Sequence, residues 1–176
     1  AFRALQARRP DARMVFVGDG PERAALQAAN PDFIFAGTQR GDALGRHFAS
    51  ADLFLFPSRS ETFGNVVLES MASGVPQVAF DHGAATEHLC DGHQGARIVG
   101  DDEDAFIAAA VALSSDAATR RAMGLAAREA MRRLTPAHVA DDLDALLAGL
   151  RGRSASPRAP LPVPTDAEDA DARHAA

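Results

Sequence analysis

Residues 54–76 read FLFPSRSETFGNVVLESMASGVP, and this stretch carries the strongest indication of the fold. Its apolar start predicts a buried strand over Leu53–Phe56. After Gly64 the apolar residues recur with helical spacing, which predicts a helix that ends before Gly74 and Pro76. A strand that enters a helix through a short polar loop is half of a βαβ unit. Because ligands of parallel sheets bind at the carboxyl ends of the strands, this loop is the first candidate for a binding site.

The residues of this loop suit an anion that carries hydroxyl groups on both sides. Gly64 has no Cβ, so its backbone can approach a ligand closely. The N–H groups of Gly64, Asn65 and Val66 lie at a helix N-terminus, which attracts phosphate. Glu61 precedes the helix and Glu69 lies inside it, about 7 Å from Gly64 along the axis at about 1.5 Å per residue. Since carboxylates accept hydrogen bonds from hydroxyls and do not bind phosphate, the arrangement favours a nucleotide sugar.

The same stretch resembles a known family signature. Glu61 and Glu69 have seven residues between them, and they resemble the Glu-x7-Glu pattern of the retaining GT-B glycosyltransferases of family 4. The form ETFGNVVLESMASGVP is most similar to that of the GDP-mannose-dependent α-mannosyltransferases. Two glutamates at this spacing alone would mean little. The resemblance is specific because it includes strand, loop, helix and the final Gly-x-Pro, and it covers roughly residues 1–150.

This resemblance implies an enzyme, a hexosyltransferase and in particular an α-mannosyltransferase. Residues 1–150 would form the C-terminal half of a GT-B fold and bind a nucleotide-diphosphate sugar, GDP-mannose above all. The reaction would be retaining transfer of a hexose to a lipid or glycan acceptor, with no metal and no other cofactor. Glu61 is implied to be catalytic and to hold the transferred sugar, and Glu69 to hold the ribose. The other implied donor-binding residues are Gly18, Thr38, Arg40, Thr62, Phe63, Gly64, Asn65 and Val66.

The family also uses an Arg and a Lys that would precede residue 1. This chain has no Lys, and it starts without Met inside a predicted helix. We therefore expect a fragment that lacks the N-terminal acceptor-binding domain and is inactive alone. The expected partners are the nucleotide sugar and that domain, through which the full-length protein would contact a membrane.

Strands and helices alternate along the rest of the chain. This alternation predicts an α/β fold, a Rossmann-like parallel sheet with helices on both faces. Gly83, which follows a predicted strand, is expected to form a tight turn near the site. The further strands are predicted over Met14–Val17, Phe33–Phe35, Gln77–Phe80 and Ala96–Val99, and the last helix over Pro136–Leu150.

The residues leave four alternative interpretations of the sites and the function open. Gly18-Asp19-Gly20 follows a strand as in a dinucleotide fingerprint, but the third glycine is replaced by Arg23. His82, Glu87 and His88 suggest a metal pair, although a further convergent ligand is lacking. The other two are a nucleotide-sugar 2-epimerase on a related fold and a non-catalytic nucleotide-binding module.

The amino-acid composition indicates which classes of binding partner and which cellular compartment to expect. The formal net charge of −6 argues against nucleic acid as a partner. The single cysteine, Cys90, excludes an internal disulfide and fits a reducing compartment; we expect a buried, inert thiol. No signal peptide or membrane span is visible, so a cytoplasmic location is expected. Residues 151–176, with four prolines within eight residues, predict a disordered tail.

Overall fold

The computed structural model describes residues 1–152, which form an α/β fold of parallel strands connected by helices. Apart from its first two residues, which end the last helix, the tail predicted over 151–176 lies outside the described residues. The strands are β1 (Val15–Val17), β2 (Ile34–Gly37), β3 (Phe54–Phe56), β4 (Gln77–Phe80) and β5 (Gly95–Ile98). The helices are α1 (Phe2–Arg8), α2 (Arg23–Ala29), α3 (Gly41–Ala49), α4 (Asn65–Ala72), α5 (Ala84–His88), α6 (Glu103–Ser115), α7 (Ala117–Met131) and α8 (Pro136–Gly152).

The described strands form two separate parallel sheets rather than one. β1 pairs with β2, and β3, β4 and β5 pair in that order. Phe54 lies beside Gln77 and Phe56 beside Ala79, so the carboxyl ends of β3 and β4 finish at the same edge. Phe80 pairs with Ile98 of β5 at this edge as well. The loops that follow these three strands are therefore neighbours, as the βαβ pattern predicts.

β4 is buried along its whole length and divides the core into two clusters. Successive side chains of a strand point to opposite faces of the sheet. Ala79 accordingly joins the cluster formed with α4, α5 and α7, whereas Val78 and Phe80 join the cluster formed with α6 and Met123 of α7. The continuous apolar sequence of β4 is thus explained by helices on both of its faces.

The prediction of a buried strand before Gly18 is wrong about burial. Val15, Phe16 and Val17 are 42%, 36% and 39% exposed. Within residues 1–152, β1 is paired on one edge, by β2, and α2 has no buried residue. An apolar run shows that burial of the segment would stabilise the fold. Burial itself requires neighbouring strands or helices that cover the segment. β3, also predicted to be buried, is half-buried.

One smaller prediction also fails. Cys90 is exposed, not buried, because it lies in the connection between α5 and β5. The segment after Gly83 contains the short helix α5, for which no element was predicted.

α8 begins at Pro136, as predicted, and exposes an apolar stripe formed by Val139, Leu143, Leu146, Leu147 and Leu150. Within residues 1–152, no helix has the length and apolar character that a membrane crossing requires.

Candidate donor-binding site

The loop between β3 and α4 ends in a glycine that the backbone requires. Gly64 is the N-cap of α4 and has φ 88° and ψ 55°, the left-handed conformation that glycine adopts without steric cost. No side chain caps the helix. The carbonyl of Gly64 accepts from Val67 N–H at 3.0 Å, which is the first bond of the helix. The chain thus turns sharply into α4 and leaves the helix start open.

The N-terminus of α4 has N–H groups available for a ligand. Within residues 1–152, the N–H groups of Gly64, Asn65 and Val66 donate to no carbonyl or side chain. The first N–H groups of a helix have no partner within the helix, and the helix dipole adds a partial positive charge there. This end of the helix therefore has the features that favour an anion, and the anion site remains a prediction.

The two glutamates of the signature are both exposed and flank this surface. Glu61 folds over Gly64, since its Cγ would be 3.7 Å from a Cβ built on Gly64. Glu69 lies on the solvent side of α4, because Val67, Ser70 and Met71 form the buried side. Within the described chain, neither carboxylate has a hydrogen bond or ion pair. Both carboxylates are thus available to accept hydrogen bonds from hydroxyl groups.

Phe63 connects the loop between β3 and α4 to the turn that follows β4. Its carbonyl accepts from the N–H of Ala84 at 2.5 Å, and its ring meets the edge of the His88 ring at 6.0 Å between centroids. Gly83 has φ 51°, and a Cβ there would lie 2.3 Å from the Phe63 carbonyl oxygen. The prediction that Gly83 forms a turn near the site is confirmed, and it has a steric reason. Thr62 is exposed beside Phe63.

The other predicted donor-binding residues lie together at the carboxyl edge of the first sheet. Gly18 follows β1 and Thr38 follows β2, and the N–H of Gly18 donates to the carbonyl of Gly37 at 2.8 Å. Arg40 is the exposed N-cap residue of α3. An open cavity of about 280 Å³ lies beside Gly18 and is lined by residues 16–23, Leu26 and Phe35. Because the Gly18 N–H is engaged, this glycine offers close approach rather than a hydrogen-bond donor.

The structure thus assembles the predicted residues into two groups, one on each sheet. Gly18, Thr38 and Arg40 form the first, and residues 61–69 form the second. Among the described residues, no hydrogen bond or ion pair joins the two groups. α3 packs against α4, so the two groups are attached to helices in contact.

Two ion pairs near the site were not predicted. Arg59 of the loop pairs with Glu103 at the start of α6, and its guanidinium lies 5.6 Å from the centroid of the Phe80 ring. His82 Nε2 lies 2.6 Å from Asp101 Oδ1. Both pairs join residues far apart in sequence, and no spacing pattern signals such pairs.

The two histidines considered for a metal have different neighbours. His82 pairs with Asp101, whereas His88 lies 3.8 Å from Glu87. Residues 1–152 contain no group of three or more His, Cys, Asp or Glu side chains arranged to hold a metal ion.

The chain is similar in sequence to known glycosyltransferases. The profile of the glycosyl transferases group 1 family matches residues 1–116. A GDP-mannose-dependent alpha-mannosyltransferase of Mycolicibacterium smegmatis is 39% identical over 141 residues, which cover 80% of this chain and 37% of that protein. The sulfoquinovosyl transferase SQD2 of Arabidopsis thaliana is 38% identical over 134 residues, covering 73% of this chain and 26% of that protein. The chain therefore spans well under half the length of these relatives.

Solved structures show the same fold. The sucrose-phosphate synthase of Thermosynechococcus elongatus superposes with a TM-score of 0.71 at 23% identity, over 87% of this chain and 42% of that one. The Anabaena protein HepE, solved in complex with UDP, gives a TM-score of 0.70 at 21% identity, over 84% of this chain and 43% of that one. At these identities the two likenesses establish the fold of the chain. From the profile match and the mannosyltransferase relative together, we conclude that the chain belongs to the glycosyl transferases group 1 family.

Proposed function

We propose that this chain binds the donor of a retaining hexosyltransferase, a nucleotide-diphosphate sugar and in particular GDP-mannose, without a metal ion. The observation that carries the proposal is the uncapped N-terminus of α4, where Gly64 turns the chain between the exposed carboxylates of Glu61 and Glu69. The choice of GDP-mannose is supported by the mannosyltransferase of Mycolicibacterium smegmatis, whose name specifies that donor.

In this proposal each group of the donor has a partner. The diphosphate accepts hydrogen bonds from the N–H groups of Gly64, Asn65 and Val66. The hydroxyls of the transferred sugar donate to Glu61, and those of the ribose donate to Glu69. Gly18, Thr38 and Arg40 contact the base side of the nucleotide.

The same N–H groups would act in the reaction itself. Negative charge develops on the diphosphate as it leaves, and preorganised N–H groups and a helix dipole stabilise such charge without reorganising. The acceptor would be held by residues outside this sequence, since the chain spans 37% of the mannosyltransferase it matches. The cytoplasmic location and the membrane contact of the whole protein stay predictions.

Titration calorimetry with GDP and UDP, each with and without EDTA, tests which nucleotide is preferred and whether binding needs a metal ion. We expect tighter binding of GDP than of UDP, unchanged by EDTA. Loss of binding in EDTA would contradict the metal-free site, and preference for UDP would contradict the assignment of GDP-mannose.

Two substitutions test the roles of the glutamates. Glu69→Ala should weaken GDP binding by about 10–100-fold, because a hydrogen bond to a charged group contributes about 1.5–3 kcal/mol. Glu61→Ala should leave GDP binding nearly unchanged and weaken GDP-mannose binding. Glu129→Ala serves as a control, since this exposed residue of α7 pairs with Arg132 and has no role in the proposed site. Equal losses of GDP affinity in both variants would contradict the assignment.

A non-catalytic nucleotide-binding module predicts the same binding without any transfer. It is distinguished by the absence of transfer activity in the whole protein. A nucleotide-sugar 2-epimerase would release a changed sugar in the absence of an acceptor.

A further inference from the structure

The turn after β5 contains an unusual residue. Asp101 has φ 55°, and in the described chain it is the one non-glycine residue with a positive φ. It follows Gly100, which has φ 73°. Aspartate tolerates this conformation less well than glycine. The conformation directs the Asp101 carboxylate to His82 Nε2, at 2.6 Å, with both side chains more than half buried.

His82 lies in the turn between β4 and α5, and this turn is attached to the end of β5 by further contacts. The N–H of Asp81 donates to the carbonyl of Ile98 at 2.9 Å. Arg97 Nη1 donates to Asp81 Oδ1 at 3.2 Å and to the carbonyl of Thr86 at 3.0 Å. The His82–Asp101 pair is the contact that reaches beyond β5 into the following turn, residues 99–101.

The other side of the same turn supports the candidate donor site. Ala84 N–H donates to the Phe63 carbonyl at 2.5 Å, and Gly83 approaches Phe63 so closely that a Cβ would have no room. Phe63 is bonded directly to Gly64, whose left-handed conformation starts α4. A displacement of the turn would therefore move the Phe63 carbonyl and the peptide that carries the Gly64 N–H.

We infer that His82 and Asp101 are positioning residues for the anion-binding N-terminus of α4. Their pair fixes the turn of residues 81–84, the turn fixes the Phe63 carbonyl, and the carbonyl fixes the orientation of the Gly64 peptide toward a diphosphate. Neither side chain contacts the ligand. The inference rests on the proposed function for the identity of the ligand, but the mechanical coupling can be measured without any ligand.

The test compares Asp101→Gly with Asp101→Asn in the 176-residue chain. Asp101→Gly removes the carboxylate and relieves the backbone, so it should not lower the melting temperature. Asn tolerates the left-handed region, and its amide oxygen can still accept a hydrogen bond from His82. Asp102→Ala is the matched control: Asp102 caps α6 by accepting from Ala105 N–H, so its loss destabilises the adjacent element without touching His82.

Amide exchange followed by NMR gives the ligand-free readout. In Asp101→Gly we expect the Ala84 amide to exchange about fivefold faster or more, the lower end of typical coupling between sites. Asp101→Asn should keep slow exchange, and the Asp102→Ala control should keep the wild-type ratio of Ala84 to Val78 exchange. Wild-type Ala84 exchange in Asp101→Gly would overturn the inference.

Binding provides the second readout. GDP affinity should fall about fivefold or more in Asp101→Gly, while guanosine affinity stays unchanged because the nucleoside has no phosphate. His82→Ala should reproduce this effect, and the double variant should lose no more than either single variant. Additive losses, or equal losses for guanosine and GDP, would overturn the inference. Failure of the wild-type chain to bind GDP would contradict the proposed function, whereas the Ala84 exchange result would still decide the coupling.

Discussion

At the residue scale, Gly64 and Gly83 are both glycines with a positive φ, but they have different surroundings. A Cβ on Gly64 would meet Glu61 and Phe56 atoms at 3.7 Å, which is ordinary contact. A Cβ on Gly83 would lie 2.3 Å from the Phe63 carbonyl oxygen. The first position needs glycine for its backbone conformation, and the second needs it for space as well.

We therefore predict that Gly83→Ala destabilises the protein much more than Gly64→Ala. Gly64→Ala should cost about 1–2 kcal/mol for the left-handed conformation. Gly83→Ala should cost about 1–3 kcal/mol more, because the turn must move away from Phe63. Urea denaturation of the two variants and the wild type measures the difference. Equal free energies of unfolding would show that the turn of residues 81–84 adapts freely.

A second residue-scale prediction concerns pH. Arg3 holds Asp32 at 2.7 Å, and this hydrogen-bonded pair lowers the pKa of the Asp32 carboxyl well below its usual range. A carboxyl with a lowered pKa in the folded state contributes stability above its unfolded pKa of about 3.9. That contribution is lost as the pH falls from about 4 through the folded pKa.

Arg3→Gln should raise the pKa of Asp32 toward the ordinary value and flatten the loss of stability below about pH 4. NMR titration of the Asp32 carboxyl carbon in the two proteins checks it. An unchanged pKa of Asp32 in the variant would show that Arg3 is not its cause.

At the scale of elements, two glycines let α4 and α7 approach closely. A Cβ on Gly124 of α7 would lie 2.2 Å from the carbonyl oxygen of Gly74, just after α4. α4 presents Val67 and Met71 to Ala127 of α7 in the same cluster. The position of α4, and with it the direction of its N-terminus, therefore depends on the small residue at 124.

We predict that Gly124→Ala lowers the free energy of unfolding by about 1–3 kcal/mol, although alanine favours a helix. The matched control is Gly45→Ala in α3, where a Cβ meets nothing within 4 Å; it should stabilise by up to about 1 kcal/mol. Thermal unfolding followed by circular dichroism distinguishes the two. A stabilised Gly124→Ala variant would mean that α7 shifts without cost.

At the scale of the whole molecule, binding and transfer make different demands. In the proposed function, binding of the donor would require the N-terminus of α4 and the loops after β1, β2 and β3. Transfer also requires an acceptor held against the anomeric carbon, and such positioning is worth about 7–11 kcal/mol. It also requires cations for the departing diphosphate. The resemblance implies an Arg and a Lys for this role, and the lysine of that pair is absent from this sequence.

We therefore predict that the 176-residue chain binds GDP but transfers no mannose from GDP-mannose to lipid or glycan acceptors. A parent protein that includes an acceptor-binding domain should transfer it. Chromatography of radiolabelled products measures both, with the Glu61→Ala parent as the inactive control. Transfer by the 176-residue chain would contradict the prediction that this chain binds the donor but needs a further domain for transfer. An inactive parent would favour the non-catalytic module.

Local sequence patterns predict all five strands and most of the helices, and they single out the loop between β3 and α4 as the candidate site. β4 and the start of α8 lie where they were predicted, because apolar periodicity and proline act within a few residues of the chain. The same local rules, together with the resemblance carried by residues 61–76, predict a turn at Gly64. They also predict that Glu61 and Glu69 are exposed on either side of it.

Features that depend on residues distant in the sequence become visible in the folded structure alone. β1 is as apolar as β4, but β4 has a strand on each side and β1 has one within residues 1–152, so the two strands differ in burial. The contacts of Ala84 with Phe63 and of His82 with Asp101 join segments about 20 residues apart. Such contacts form because parallel strands bring their carboxyl ends to one edge, and a local pattern carries no information about which side chains meet there.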